Sequence, residues 1–180
     1  SLHDALPICI NSPVVVGFGP AGMFASLLLA RAGAKPIVLE RGKAVEDRQA
    51  DINKFFETGV LNTESNVQFG EGGAGTFSDG KLTTNTKDFR HSFILKTFVE
   101  FGAPEEILYE AKAHIGTDYL IKVVKNIREE VIRLGGTVIF DSKMTEVISE
   151  NGTLTGVKYI SNGAEKEIKT NSLILAIGHS

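Results

Sequence analysis

Residues 13–40, PVVVGFGPAGMFASLLLARAGAKPIVLE, decide the fold. Pro13 to Phe18 is a short apolar strand that runs straight into glycines, and Met23 to Arg31 reads as a helix that Gly33 brings to a stop. Pro36 to Glu40 is a second apolar strand ending in an acid, so the stretch forms a compact β-α-β unit with parallel, buried strands. Between the first strand and the helix lies Gly17-Phe18-Gly19-Pro20-Ala21-Gly22. Gly17 permits the tight turn, Gly19 lets a pyrophosphate approach the backbone, and Gly22 lets helix and strand pack closely. Pro20 suits the first helical position, where no amide hydrogen is needed, and the free amides and dipole of the helix start attract phosphate charge. Glu40 falls about 20 residues beyond Gly19, where its carboxylate can accept hydrogen bonds from both hydroxyls of a ribose and would repel a 2'-phosphate.

Working outward, the chain departs from the pattern of a nicotinamide-binding dehydrogenase, in which the next parallel strand follows soon after the acid. Here the next good strand is Thr137 to Phe140. In between, a helix is expected over Lys43 to Glu57, with Val45, Ile52, Phe55 and Phe56 on its apolar side and Gly59 ending it. Residues 61–86 are rich in Gly, Asn, Thr and Ser and too long for a connector, which marks them as an ordered binding loop or a disordered insert. Helices are expected at about 88–101 and, after Pro104, at 105–110. A stronger one, capped by Thr117 or Asp118, carries Leu120, Val124, Ile127, Val131 and Leu134 at helical spacing and ends at Gly135-Gly136.

After that the period becomes strand-like over 137–140, 143–149, 154–160, 165–169 and 173–177. Asn151-Gly152 and Asn162-Gly163 favour the tight turns of an antiparallel three-stranded meander, and the uniformly apolar last strand is expected to be central in its sheet. The expectation is therefore an α/β, Rossmann-like FAD-binding domain over residues 13–180, with a parallel central sheet, a helical insertion at about 41–116 and a three-stranded β-meander. That layout belongs to two-domain flavoproteins and favours FAD over NAD.

The residues also carry a resemblance. VVVGFGPAGMFASLLLARAGAKPIVLERG resembles the FAD-binding start of the glutathione-reductase-like flavoprotein superfamily, and LILAIG its second glycine motif. NVQFGEGGAGTFSDGKLTT, AHIGTDYLIKVVKNIR and the closing AIGHS resemble the family of uncharacterised bacterial FAD-dependent dehydrogenases, over about residues 13–180. Ala113 departs from that family, which usually has proline there.

The resemblance implies FAD as cofactor, with Gly17, Gly19, Pro20, Ala21 and Gly22 around the pyrophosphate and Glu40 on the adenosine ribose. It gives Arg41 and Arg48 to cofactor phosphates or ribose, although a solvated helix face is the plainer role for Arg48. The loop from Gly70 to Lys81, with Gly72, Gly73, Ser78, Gly80 and Lys81, is expected along the flavin side. Lys81 would stabilise negative charge at the N1-C2=O end of a reduced flavin, against the alternative of a structural ion pair. Met144 is expected to offer backbone groups to adenine, and Gly178 to approach the pyrophosphate from the other side. Lys81, His114 and His179 are weak catalytic candidates, since an isolated histidine near a turn more often caps a helix or fills a polar pocket.

Composition narrows the alternatives. With 42% hydrophobic and 23% charged residues the chain can bury a core, and its net charge of -3 gives no overall pull toward nucleic acid or an anionic membrane. No apolar run approaches the roughly 20 residues that cross a bilayer. The lone Cys9 forms no C-x-x-C or C-x4-C pair, which argues against a disulfide reductase and suits a cytoplasmic setting. No metal-ligand cluster is visible. Residues 1–12 read as a non-native leader, and the abrupt end reads as that of a fragment lacking a C-terminal half.

The expected function is an FAD-dependent oxidoreductase, a dehydrogenase with a small-molecule substrate and NADH or NADPH as a candidate reductant. The alternatives are a flavin-dependent tRNA-modifying enzyme and a noncatalytic FAD-binding module. The sequence names neither the substrate nor the oligomeric state.

Overall fold

The computed structural model describes residues 12–78, 82, 88–109 and 115–178. The expected roles of Gly80, Lys81, His114 and His179, the departure at Ala113 and the leader up to residue 11 lie outside the described residues. The elements run β1 (Val14–Val16), α1 (Pro20–Arg31), β2 (Ile37–Leu39), α2 (Val45–Thr58), a 3₁₀ turn (Ala74–Phe77) and α3 (Arg90–Glu100). A second 3₁₀ turn (Glu105–Leu108), α4 (Thr117–Arg133), β3 (Thr137–Ile139), β4 (Ser142–Glu150), β5 (Thr153–Ser161), β6 (Ala164–Lys169) and β7 (Leu173–Leu175) follow.

A four-stranded parallel sheet, ordered β3-β2-β1-β7, and a separate antiparallel sheet, β4-β5-β6, give the α/β, Rossmann-like architecture that the sequence predicts. β1 is buried along its whole length, as a strand covered on both faces must be. On one face α1 packs against α4, through Met23, Leu27 and Ala30 on the first and Val123, Val124, Ile127 and Val131 on the second. On the other face Val157 and Tyr159 of the meander close over Val14, Val16 and Leu39. Asn151-Gly152 and Asn162-Gly163 have positive φ at both positions, the geometry that joins twisted antiparallel strands in two residues. The hydroxyl of Thr170 donates to the carbonyl of Ser12, which ties a residue expected in the leader to the end of the meander.

Four expectations need correction. β7 is an edge strand among the described residues, and Leu175 is 55% exposed, because β7 hydrogen-bonds only to β1. Apolar composition alone does not tell a central strand from an uncovered edge. α4 takes its cap at Gly116 (φ 79°) with no side-chain cap, while the Thr117 hydroxyl donates to the carbonyl of Ser78 at 3.3 Å. In the segment expected to be helical at 105–110, Glu105–Leu108 form the short 3₁₀ turn and not an α-helix. α2 buries Val45, Arg48 and Ile52, and leaves Phe56 74% exposed.

Candidate functional site: a cleft between two glycine loops

β1 delivers the chain to Gly17, whose φ of 96° and close approach to Ala176 leave no room for a side chain: a Cβ there would lie 2.5 Å from the Ala176 carbonyl oxygen. Gly22 is tighter still, since its Cβ would lie 1.8 Å from the carbonyl oxygen of Gly17. These two glycines let α1 start directly against the strand, with Pro20 at its first position and the Met23 amide donating back to Gly19. The amides of Ala21 and Gly22 precede the helical hydrogen-bond pattern and are left for another acceptor. Gly19 has an ordinary extended conformation, and a Cβ on it would meet only Gly73, at 3.8 Å. Its lack of a side chain serves the open space beside it, not the fold.

A second glycine loop forms the opposite wall. The amide of Gly72 donates to the carbonyl of Phe18 at 2.8 Å, and a Cβ on Gly73 would lie 3.1 Å from Pro20 Cδ, so the two loops meet backbone to backbone. Between them lies a cleft of about 620 Å³, within the range of roughly 300–1,000 Å³ usual for small-molecule sites. Gly17, Gly19, Pro20, Ala21, Glu40, Arg41, Gly73, Met144 and Gly178, each predicted from sequence, all line it.

The acid at the end of β2 is held firmly. Glu40 is only 4% exposed; its Oε2 accepts from the Phe18 amide at 2.7 Å and its Oε1 from the Gly42 amide at 2.9 Å. Each carboxylate oxygen keeps a further lone pair, so the two amides orient the group and still leave it an acceptor toward the cleft. Beside it the Arg41 guanidinium lies 4.1 Å over the Phe69 ring and pairs with Glu64 at 2.7 Å. Lys143 reaches the same carboxylate at 3.7 Å.

Four predicted residues stand elsewhere. Gly22 is buried in the α1 packing, and Gly72 is buried with its amide on Phe18. The Ser78 hydroxyl donates to the carbonyl of Gly75 within its own turn, and Ser78 is not among the residues that line the cleft. Arg48 is the substantive correction. Expected on cofactor phosphates or on a solvated face, it is 0% exposed and its guanidinium is spent on the carbonyls of Asn66, Val67, Glu71 and Gly73, all at 2.7–2.8 Å. Burial pushes this guanidinium down to about 10, opposed by Glu40 and Glu71. It stays cationic at neutral pH.

Glu71, a residue the sequence does not single out, is equally buried. Its Oε2 accepts from the Val45 amide and from Arg128, each at 2.7 Å, and its Oε1 has no hydrogen-bond partner among the described residues. Burial pushes its carboxyl up to about 7, against the opposing pull of the Val45 amide and Arg128. Arg128 also binds Glu46, and that hydrogen bond holds the Glu46 carboxyl down at about 2. Among wall residues, Gln68, Phe69 and Lys143 also escaped sequence reading, because no short motif marks which residues of a long loop or meander face a cleft. No group of three or more His, Cys, Asp or Glu that could hold a metal occurs among the described residues, and no described helix is long and apolar enough to cross a membrane.

No family model matches the chain. An uncharacterised protein of Clostridium beijerinckii is 60% identical over 168 residues, which cover 93% of this chain and 31% of that protein. The chain thus spans about a third of the length of this relative. Among solved structures, THI4 of Thermovibrio ammonificans superposes with a TM-score of 0.59 at 17% identity, over 94% of this chain and 58% of that one. A geranylgeranyl bacteriochlorophyll reductase-like protein of Thermoplasma acidophilum gives 0.53 at 17% identity, over 92% and 38%. The 3-ketosteroid-Δ4-(5α)-dehydrogenase of Rhodococcus jostii gives 0.50 at 16% identity, over 97% and 47%. At these identities the likeness is one of fold: the chain has the Rossmann-like α/β fold shared by these proteins.

Proposed function

We infer that the cleft binds FAD and that the chain is the cofactor-binding part of a flavin-dependent oxidoreductase of the two-dinucleotide-domain type. The observation that carries this reading is Gly19: its missing side chain does nothing for the packing of the protein and leaves open a cleft bounded by a helix start and a second loop. The residues present fit the group. The Ala21 amide at the start of α1 and the helix dipole suit a pyrophosphate, and Glu40, aimed by two buried amides, suits the hydroxyls of the adenosine ribose. The fold likeness to a dehydrogenase and a reductase-like protein supports the same class.

Bound there, a flavin would supply hydride transfer through its N5 to an organic substrate or acceptor. This chain's part is to hold the dinucleotide, orient it by Glu40 and the glycine loops, and exclude water along the Gly73 wall. NADH or NADPH as reductant, a small-molecule substrate, a dehydrogenase reaction and a cytoplasmic location belong to the same proposal. The absorbance of the intact purified protein tests it. Flavin bands with FAD released on heating are expected, and anaerobic NADH or NADPH should bleach them. A colourless protein that takes up no FAD would overturn the reading.

A further inference from the structure

The second wall of the cleft is a run of backbone, residues 66–73, of which Gln68, Phe69, Gly70 and Gly73 face the cleft. Bare backbone suits an anionic ligand only if its carbonyl oxygens are turned elsewhere, because a carbonyl dipole aimed at a phosphate repels it. Four of these carbonyls are turned onto one cation. Arg48 Nε donates to Asn66, Nη1 to Glu71 and Gly73, and Nη2 to Val67, while the Phe77 ring lies 4.8 Å from the guanidinium. Gly70 packs so closely on this side chain that a Cβ would lie 2.6 Å from Arg48 Cδ. Arg48 does not line the cleft, and neither do Asn66, Val67 and Glu71; of the four residues whose carbonyls it binds, Gly73 alone is part of the lining, so Arg48 braces the wall from outside the cleft.

We propose that Arg48 is a positioning residue for the dinucleotide: by binding the carbonyls of residues 66, 67, 71 and 73 it occupies the Gly73 carbonyl, holds the loop in one shape and sets the wall before any ligand arrives. Only a planar guanidinium has enough donors in one plane for four acceptors; a lysine ammonium has three and no plane. This proposal rests on the reading of the cleft as an FAD site.

The test uses Arg48→Lys and Arg48→Met in the intact protein, titrated with FAD at a temperature where circular dichroism shows each fully folded. A residue that only stabilises the fold would lower the melting temperature and leave that affinity alone. A positioning residue weakens FAD by at least about tenfold in both variants, because charge without the fork does not restore the geometry. Affinity within about twofold of the natural protein would overturn the role. Should neither variant fold, hydrogen exchange on the natural protein decides. The amides of Glu71, Gly72 and Gly73, bonded to Lys43, Phe18 and Gly70, should exchange slowly before FAD is added. Fast exchange that slows only with FAD would contradict a prebuilt wall. Failure of the natural protein to bind FAD would overturn the FAD reading and this proposal together, whereas binding that Arg48 does not affect would remove Arg48 alone.

Discussion

The two walls of the cleft are both glycine-rich loops, but they are held in shape in opposite ways. The first, Gly17 to Gly22, is fixed by its immediate neighbours: a buried strand behind, a helix ahead, and two glycines whose Cβ positions are already filled by backbone. The second, Asn66 to Gly73, is flanked by no strand or α-helix, only by the 3₁₀ turn Ala74–Phe77, and is fixed by side chains that reach it from elsewhere. Arg48 comes from α2, and Arg128 comes from α4 through Glu71. Backbone packing sets the first wall, with one carboxylate, that of Glu40, accepting from its Phe18 amide. The second depends on two buried ionisable groups, Arg48 and Glu71, and on the partly buried Arg128, and so on pH.

The largest expected effect breaks the first wall. Gly22→Ala places a Cβ 1.8 Å from a backbone oxygen that cannot move without parting α1 from β1, so a loss above about 4 kcal/mol is expected in urea unfolding. A stable, cooperatively folded Gly22→Ala protein would contradict that packing.

Next in size is Arg128→Met, which removes the only side-chain partner of the buried Glu71 among the described residues and should cost about 3 kcal/mol at pH 8. The cost should shrink on acidification, because a protonated Glu71 needs no counter-charge. The natural protein carries the same sign in weaker form. The Glu71 carboxyl sits at about 7 when folded, above its ordinary 4.5. Its contribution to stability is therefore fully present below pH 4.5 and is lost as pH rises through 7. Glu71→Gln should flatten that slope in denaturation curves run across the window, and an unchanged slope would show that another group is responsible.

The smallest effect belongs to neither wall. Lys158 and Glu146 pair at 2.8 Å on the exposed side of the meander, where solvent screens the pair, and Lys158→Ala should leave the thermal unfolding midpoint essentially unchanged. A large shift in that midpoint would mean that surface charge matters here as much as the buried network does.

The same contrast explains what could be read from the sequence. The β-α-β unit, Glu40 and the meander were legible because their determinants lie within a few residues of one another: glycine spacing, strand runs, Asn-Gly turns. The edge position of β7 was not, since burial depends on neighbours that a strand's own composition does not name. Arg48 was half legible. It falls three residues after Val45 and four before Ile52, squarely on the buried stripe of α2, but a charged side chain at that spacing reads as an exception and not as part of the core. Glu71, between glycines in a loop without period, offers no such signal, and its partner on α4 is visible only once the helices have packed.

Gly19 carries the functional claim, because a side chain there would cost the free protein almost nothing. The direct measurement is FAD titration of Gly19→Ala beside the natural protein, with melting temperatures recorded for both. An unchanged melting temperature without ligand, together with FAD affinity weaker by at least about tenfold, is the predicted result. Equal affinity in the two proteins would show that the dinucleotide does not lie against this loop.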